Sequence, residues 1–459
     1  MPRPDLMNAE AKFMSNSEIT PDERLDAHDG HKKTRRGRSG RGAMWLLAKT
    51  LHRLVRNGRL TVIDAQDGTW QFGSQTSPAV SIRLGTARLP SRLLANPSLA
   101  LGEAYMDGTL RIESGSLRDF LAICMSNIDA LDALPARRIR RWLDQRIGRK
   151  LHHNPISRAL ANVAHHYDLS TELYDLFLDA DRQYSCAYFP TGTETLDMAQ
   201  ALKKRHIAAK LRLEPGLDVL DIGSGWGGLG LELAQAHQAR VTGLSLSAEQ
   251  IAAARTRAAQ SGLSDRVRFE QRDYRQERDQ YDRVVSVGMF EHVGRSGFDA
   301  YFSTLNRVLK PDGVGLVHAI GTMEPQGGSD PWTRKYIFPG GYIPTLSETI
   351  AAIERAGLWV TDVEILRLHY AETLRHWSER FAANRAAART LYDERFCRMW
   401  EFYLAASEMS FRHGRLMVFQ IQLAKRRDAV PLTRDYIAKA EADYANAIRA
   451  ENTASGGKG

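Results

Sequence analysis

One stretch restricts the architecture more than any other: Val219-Leu-Asp-Ile-Gly-Ser-Gly-Trp-Gly-Gly228. Apolar residues run into Asp221, glycines alternate at Gly223, Gly225 and Gly227, and Leu229 to Ala236 has helical spacing. The pattern predicts a strand, a tight turn and a helix start. Glycines serve there when a ligand must lie against bare backbone, because a Cβ would stand in its way. The spacing is neither the G-x-G-x-x-G of dinucleotide folds nor a phosphate loop, which needs Lys-Ser/Thr.

Strand and helix patterns alternate around this loop. Strands are expected at Asp218–Ile222, Arg240–Leu246, Val267–Gln271, Arg283–Val287, Val314–Ile320, Val360–Leu366 and Leu416–Leu423. Helices are expected at Asp197–Leu211, at Phe298–Leu309, at Leu346–Ala356 and through much of Tyr370–Ser410. Another starts at the capping box Ser247-Ala-Glu-Gln250 and runs to Gln260. Lys310-Pro-Asp-Gly313 ends one helix. Such alternation specifies an α/β fold: a doubly wound sheet with its ligand at the C-terminal ends of the strands.

The chain of 459 residues is long enough for several domains. Residues 1–42, with the basic run His31–Arg41, read as a disordered tail. Residues 43–134 read as a small α+β domain. It has a helix at Met44–Val55, a hairpin of Leu60–Ile63 and Trp70–Phe72 about Asp67-Gly68, a strand at Val80–Leu84, and helices at Ser91–Asn96, Ser98–Met106 and Leu117–Asn127. Residues 135–150 read as a basic amphipathic linker helix. Ile139, Trp142, Leu143 and Ile147 share one face among seven Lys/Arg residues and one Asp. Such a helix suits an anionic membrane surface, or docks on its own domain, or both. Residues 151–430 form the α/β domain, and 431–459 a polar helix with a disordered end.

The formal charge of +9 points to an anionic partner, nucleic acid or lipid. Three cysteines, Cys124, Cys186 and Cys397, lack metal-like spacing and cannot all pair, which fits a reducing cytoplasm. His165-His166 has no suitably spaced carboxylate or Cys, so no metal site is expected. No apolar run approaches the roughly 18 residues of a membrane span, and no secretion signal is expected.

D-x-G-x-G-x-G behind a strand looks like the S-adenosylmethionine (SAM) loop of class I methyltransferases. Further stretches narrow the likeness: His165–Leu169, Gln183-Tyr-Ser-Cys-Ala-Tyr188, Val241–Ser247, Asp273-Tyr-Arg275, Ser286–Gly294 with its Gly-Met-Phe-Glu-His, Tyr336–Gly341 and Tyr403-Leu404. In this order and spacing they resemble the cyclopropane fatty acid synthases and their mycolic acid relatives, over about residues 150–425. Leu101-Gly-Glu-Ala-Tyr-Met-Asp-Gly108 extends the likeness more loosely. The resemblance implies a class I SAM-dependent methyltransferase fold, a Rossmann-like seven-stranded sheet, preceded by a small α+β domain that engages lipid. It implies transfer of a methyl(ene) group from SAM to the cis double bond of an acyl chain in anionic or zwitterionic membrane phospholipid, giving a cyclopropane.

An alkene is a weak nucleophile, so the sulfonium methyl must be held in line at near-contact distance. The cation that follows needs electron-rich walls, exclusion of water and a base. Aromatic residues that could supply walls are Tyr184, Tyr188, Phe189, Phe290, Trp332, Tyr336, Phe338, Tyr342 and Tyr403, at least half of them expected to be ordinary core. By resemblance the base is a bound bicarbonate ion. Its cradle matches Cys186, Glu291, His318, Ile320 and Tyr403, with hydrogen bonds from Glu291, His318 and the Tyr403 hydroxyl and mainly backbone N–H groups from Cys186 and Ile320. A carboxylate beside an anion requires Glu291 to be protonated or to share its charge with His318. Read alone, Cys186 is a small buried hydrophobe, His318 a core histidine and Glu291 a helix cap.

For SAM, Gly223, Gly225 and Gly227 give backbone approach, and Asp221 orders the loop and the amino-acid end. Tyr184 and Ser185 match positions closing over the cofactor. Ser245 replaces the ribose-binding acid of many class I enzymes, leaving Gln250 as the ribose partner. Asp273 and Tyr274 face the adenine. Rival readings are a hydride shift giving a methyl- or methylene-branched chain, a small-molecule methyltransferase, and a basic nucleic-acid-binding protein. The last is disfavoured because no nucleic-acid motif appears. The expected location is the cytoplasm, at the inner face of the membrane. No motif fixes oligomeric state, a homodimer included.

Overall fold

The computed structural model describes residues 36–74, 77–132, 169–323 and 330–456. The expected tail at 1–35, the basic linker helix at 135–150, His165 to Asp168 and the last three residues lie outside the described residues. The chain separates into two units, Met1–Ser39 and Gly40–Gly459, and both sheets belong to the second.

The larger sheet has seven strands in the order β10-β11-β9-β8-β5-β6-β7. These are β5 (Asp218–Ile222), β6 (Arg240–Ser245), β7 (Val267–Gln271), β8 (Tyr281–Val287), β9 (Leu309–Thr322), β10 (Trp359–Leu366) and β11 (Leu416–Ala424). Strands β5 to β9 pair in parallel, whereas β11 runs antiparallel to both neighbours. Val219 to Ile222 are all buried, as expected for strands covered on both faces. Chain order reverses between β5 and β8, and a crevice opens at such a switch point, outside the carboxyl ends of the strands. The fold is thus that of a class I methyltransferase.

Several boundaries differ from expectation. The first helix begins at Arg36 rather than Met44. Lys310 to Gly313 interrupts β9 without ending it: Tyr281 pairs with Leu309 and Arg283 with Val314, so the intervening residues bulge outward. The Tyr370–Ser410 region divides into helices His369–Ala383, Arg385–Leu391 and Glu394–Arg412, with breaks at Asn384 and at Asp393, which caps the third. One strand was not anticipated, β4 (Leu110–Ser114), because its only buried side chain is Leu110.

That strand closes a four-stranded sheet, β2-β1-β3-β4, with β1 (Arg59–Ile63), β2 (Thr69–Gly73) and β3 (Ala79–Leu84). Leu101–Gly108 joins this small domain to the larger one. Gly102 lies against the indole of Trp332, so closely that an added Cβ would overlap the ring. The Trp332 indole N–H donates to Met106 Sδ at 3.3 Å. Glu103 receives Lys335 Nζ at 2.7 Å and the Tyr336 hydroxyl at 3.0 Å, and Arg395 holds Asp107 at 2.9 Å. The motif is therefore interdomain packing: a flat indole needs a residue without a side chain opposite it. Gly102→Val should lower the free energy of unfolding by about 1–3 kcal/mol, the usual cost of overpacking, read as a reduced thermal midpoint.

Candidate active site

Four segments converge on the crevice. The first is the glycine loop after β5. Gly223 and Ser224 donate their N–H groups to Leu244 O at 2.8 and 2.9 Å, which ties the loop to β6. The three glycines do different work. A Cβ on Gly225 (φ +53°) would meet nothing within 4 Å and would point into the crevice. A Cβ on Gly227 (φ +83°) would lie 2.6 Å from the Phe269 ring and 2.9 Å from Ala254 Cβ, and one on Gly223 2.9 Å from Met289 Cβ. Gly223 and Gly225 line the crevice, and only Gly225 has open space where a Cβ would stand; Gly227 permits close helix–strand packing and does not line the crevice. Asp221 also lines the crevice, with Oδ2 buried and without a hydrogen-bond partner. Burial pushes its carboxyl up to about 7, against a smaller opposing pull from Lys203. It orders no loop atom through Oδ2.

The second segment is the strap Gln183–Tyr188, whose Gln183, Tyr184 and Ser185 line the crevice. It is fastened to one face of the helix Leu196–Leu211. Tyr188 N–H donates to Ala199 O at 3.1 Å, and Gln200 Nε2 donates to Gln183 O at 3.2 Å and Ser185 O at 3.0 Å. Lys203 Nζ donates to Gln183 Oε1 at 2.6 Å and Ser185 Oγ at 2.8 Å. Lys203 is wholly buried, and burial lowers its pKa to about 8. Sequence reasoning missed it; on a helix with a polar pattern it reads as a solvated lysine.

The third segment follows β6 and β7. Ser245 Oγ donates to Gln250 Oε1 at 2.9 Å, and both residues line the crevice. Ser247 Oγ accepts the Gln250 N–H at 3.3 Å, but the Gln250 side chain turns to Ser245, so the expected capping box is only half formed. The turned amide keeps its N–H₂ free of Ser245 and suited to a hydroxyl acceptor. Asp273 and Tyr274 line the crevice beyond. Arg275 grips the Asp273 carboxylate at 2.6 and 2.8 Å, and Tyr274 packs edge-on against Tyr301.

The fourth segment follows β8. Phe290–His292 forms a short 3-10 turn, and Gly288 N–H donates to His318 O at 2.8 Å, stapling it to β9. Glu291 Oε1 accepts the Ile320 N–H at 2.6 Å, while Oε2 is buried without a partner. Burial pushes this carboxyl up to about 7, partly countered by the Ile320 N–H. His318 faces Gln420 across the ladder, Nδ1 to Nε2 at 3.1 Å. Burial, with Lys203 and Lys210 adding to it, pushes its pKa down, so the ring is neutral. With Nδ1 accepting from Gln420, Nε2 carries the proton and is a donor. The Ile320 N–H, one of the expected backbone donors, is bonded here to Glu291.

The Tyr184 and Tyr403 hydroxyls meet at 2.8 Å. Burial holds both protonated, Tyr403 with a pKa of about 12. Cys186 is buried beside them and donates to Ala187 O at 3.3 Å, and burial pushes its thiol far above the ordinary value. It is not a thiolate. Cys186, Tyr403 and Ile320 share one apolar cluster with Tyr184 and Phe338. None of the five residues matched to the bicarbonate cradle lines the crevice. Of the nine aromatics, Phe290 belongs to the cluster of Phe298, Tyr301 and Phe302, and Tyr188 stacks between His206 and His369. The wall near Tyr403 is instead Tyr184, Phe338 and the unanticipated Trp400, whose ring lies 5.2 Å from Tyr403. Among the described residues, no group of three or more His, Cys, Asp or Glu is placed to hold a metal.

Asp221 and Glu291 bind protons more tightly folded than unfolded, where they titrate near 3.8 and 4.5. Stability of the ligand-free protein is therefore full below those values and falls as pH rises towards about 7. Glu291→Gln should flatten part of that fall in pH-dependent denaturant titrations. Gly225→Asn, a residue that tolerates positive φ, should melt near the wild-type temperature and lose SAM binding at least tenfold. Gly227→Ala should instead lower the melting temperature.

Residues 155–421 match the family model described as mycolic acid cyclopropane synthetase. Residues 49–131 match a second model, described as a domain of unknown function. The chain is 38% identical to a probable fatty acid methyltransferase of Pseudomonas putida, over 77% of this chain and 89% of that protein. It is 36% identical to the cyclopropane-fatty-acyl-phospholipid synthase of Escherichia coli, over 76% of this chain and 89% of that one. A cyclopropane synthase structure from Mycobacterium tuberculosis superposes with a TM-score of 0.54 at 31% identity, covering 59% of this chain and 99% of its own. A mycolic acid cyclopropane synthase complexed with SAH and CTAB gives 0.55 at 34%, with the same coverage. With the crevice at the switch point and the glycine loop beneath it, the chain belongs to the mycolic acid cyclopropane synthetase family and is a SAM-dependent methyltransferase.

Proposed function

We propose that this enzyme adds the methyl carbon of SAM across the cis double bond of an unsaturated acyl chain in membrane phospholipid and closes a cyclopropane ring. The observation that carries the reading is Glu291: a buried carboxyl, one oxygen fixed by a backbone N–H and the other unpartnered, beside an aromatic wall. A small-molecule methyltransferase has no use for such a group outside its cofactor crevice.

SAM supplies an electrophilic methyl, and bound bicarbonate would accept the proton that the substrate cation must lose. Asp221 receives the ammonium of the cofactor, which restores the charge that burial disfavours. Gln250 reaches the ribose, Tyr184 and Ser185 close over the methionine portion, and Asp273 and Tyr274 flank the base. Glu291, whose raised pKa lets a neighbouring anion keep it protonated, donates to the anion from Oε2. His318 and Tyr403 supply further donors from Nε2 and the hydroxyl. Tyr184, Phe338, Tyr403 and Trp400 exclude water and offer ring faces to the cation, which stabilise charge without attacking it. Cys186 contributes bulk and backbone.

A second reading has specific support, since one relative at 38% identity is named as a fatty acid methyltransferase. A hydride shift followed by loss of a proton from the transferred methyl to the same base, in place of ring closure, would give a methylene-branched chain from the same site, and a methyl branch would follow only on later reduction by a hydride donor. Both readings place the enzyme in the cytoplasm at the inner face of the membrane. No helix among the described residues is long and apolar enough to cross a bilayer.

The test is the lipid profile of cells expressing the intact chain or Glu291→Gln, by methyl-ester chromatography with proton NMR. Upfield ring protons are expected only with the intact chain. In vitro, Glu291→Gln and Tyr403→Phe should each cut turnover by about 10²-fold or more, the usual span for losing a proton-handling group. SAM binding should stay within about threefold, because neither residue lines the crevice. Parallel loss of binding would refute the assignment to proton removal.

A further inference from the structure

The helix Arg36–Leu54 is apolar on two sides. Its inner side, Met44, Leu47 and Ala48, is buried in the core of the small domain together with Val55 just beyond. Its outer side exposes Trp45 and Leu46, 57% and 49% open to solvent. These two stand among cations. Arg41, Lys49 and Arg53 are exposed on the same helix, with Arg56 exposed just beyond its end, and Lys49 Nζ lies 5.2 Å from the centroid of the Trp45 ring. No aspartate or glutamate occurs from Arg36 to Ile63. Among the described residues no carboxylate forms an ion pair with Lys49, Arg53 or Arg56.

An indole and a leucine held open to water cost free energy that a monomer in solution does not recover. Apart from Asp64, a buried carboxylate that feels Arg41, the surrounding charge is positive, so the complement is an anionic surface. Such a surface must also take up an indole and an aliphatic chain, which a headgroup–acyl boundary does. The long stems of Lys49 and Arg53 let their charges rise to phosphates while Trp45 and Leu46 sink below them. Because the inner side of the helix is committed to the core, insertion is shallow and one-sided.

We propose that this outer face, centred on Trp45, Leu46 and Lys49, is where the enzyme rests on an anionic phospholipid bilayer. Trp45 and Leu46 lie just before residue 49, where the match to the domain of unknown function begins. The proposal rests on the reading of membrane phospholipid as substrate. It adds which surface meets the membrane and which lipid charge that surface selects.

The test uses the full chain, with vesicles of phosphatidylcholine alone or mixed with phosphatidylglycerol, and compares Trp45→Ala/Leu46→Ala and Lys49→Gln/Arg53→Gln. Removing two cations should weaken partition to the anionic vesicles about thirtyfold and leave the weak partition to neutral vesicles unchanged. Removing the two apolar side chains should weaken both by about tenfold. Turnover of detergent-dispersed unsaturated phospholipid should match the intact chain for both variants, which also reports that they are folded. Intact-chain partition by both variants would overturn the proposal. So would loss of duplex DNA binding without a vesicle effect, or loss of self-association in sedimentation without one. Absence of turnover on any dispersed lipid by the intact chain would instead sink the proposed function and leave the partition result standing.

Discussion

Lys203 lies wholly out of solvent with its ammonium donating to Gln183 Oε1 and Ser185 Oγ, and with the Gln200 amide it fastens the cofactor-facing strap. A buried cation without a carboxylate partner is costly. Here the cost is tolerated because the ammonium stands among groups that need it. Its field reaches Asp221 on one side and Asp179 on the other, and it opposes protonation of His318. The helix Leu196–Leu211 presents Ala199, Gln200 and Lys203 to the strap on successive turns. The position of Tyr184 over the crevice is thus set by a helix outside it. Tyr184 in turn holds the Tyr403 hydroxyl. Through Tyr184, the strap at the crevice and the Tyr403 hydroxyl belong to one hydrogen-bonded assembly.

The parallel half of the fold was legible because each element there is dominated by its own local signal. β5 and β7 coincide with their expected spans, since β5 is a short, largely apolar run and β7 alternates buried Val267 and Phe269 with polar residues. What was not legible depends on partners distant in the chain. β4 has only one buried side chain and exists because β3 pairs with it. Lys310 to Gly313 has the composition of a turn, and only the ladder to β8 carries the strand through it.

The site divides in the same way. Asp221, Gly225, Ser245, Gln250, Asp273 and Tyr274 were found from the sequence, and all line the crevice, because a ligand-binding loop after a strand is a local feature. Lys203 and Trp400 were not, because burial of a lysine and the placement of one indole among many are tertiary facts. The glycine alternation shows the limit most clearly. Spacing treats Gly225 and Gly227 as equivalent, whereas the Phe269 ring from β7 gives them different duties. Within Leu101–Gly108 likewise, the sequence marks a motif but not that it clasps the indole of a residue more than two hundred positions away.

Asp221 and Glu291 show how one physical cause prepares two opposite chemistries. Burial raises both carboxyls to about 7, and each keeps one oxygen without a partner. Asp221 opens onto the crevice near Lys203, where a cationic ligand group would pull its proton off and hold it charged. Glu291 sits outside the crevice lining with its other oxygen fixed by the Ile320 N–H, and no cation offsets its desolvation. An anion placed there would keep it protonated and turn it into a donor. The cofactor end and the proton-removal end need not be distinguished by residue type. They are distinguished by which charge the surrounding protein has already supplied.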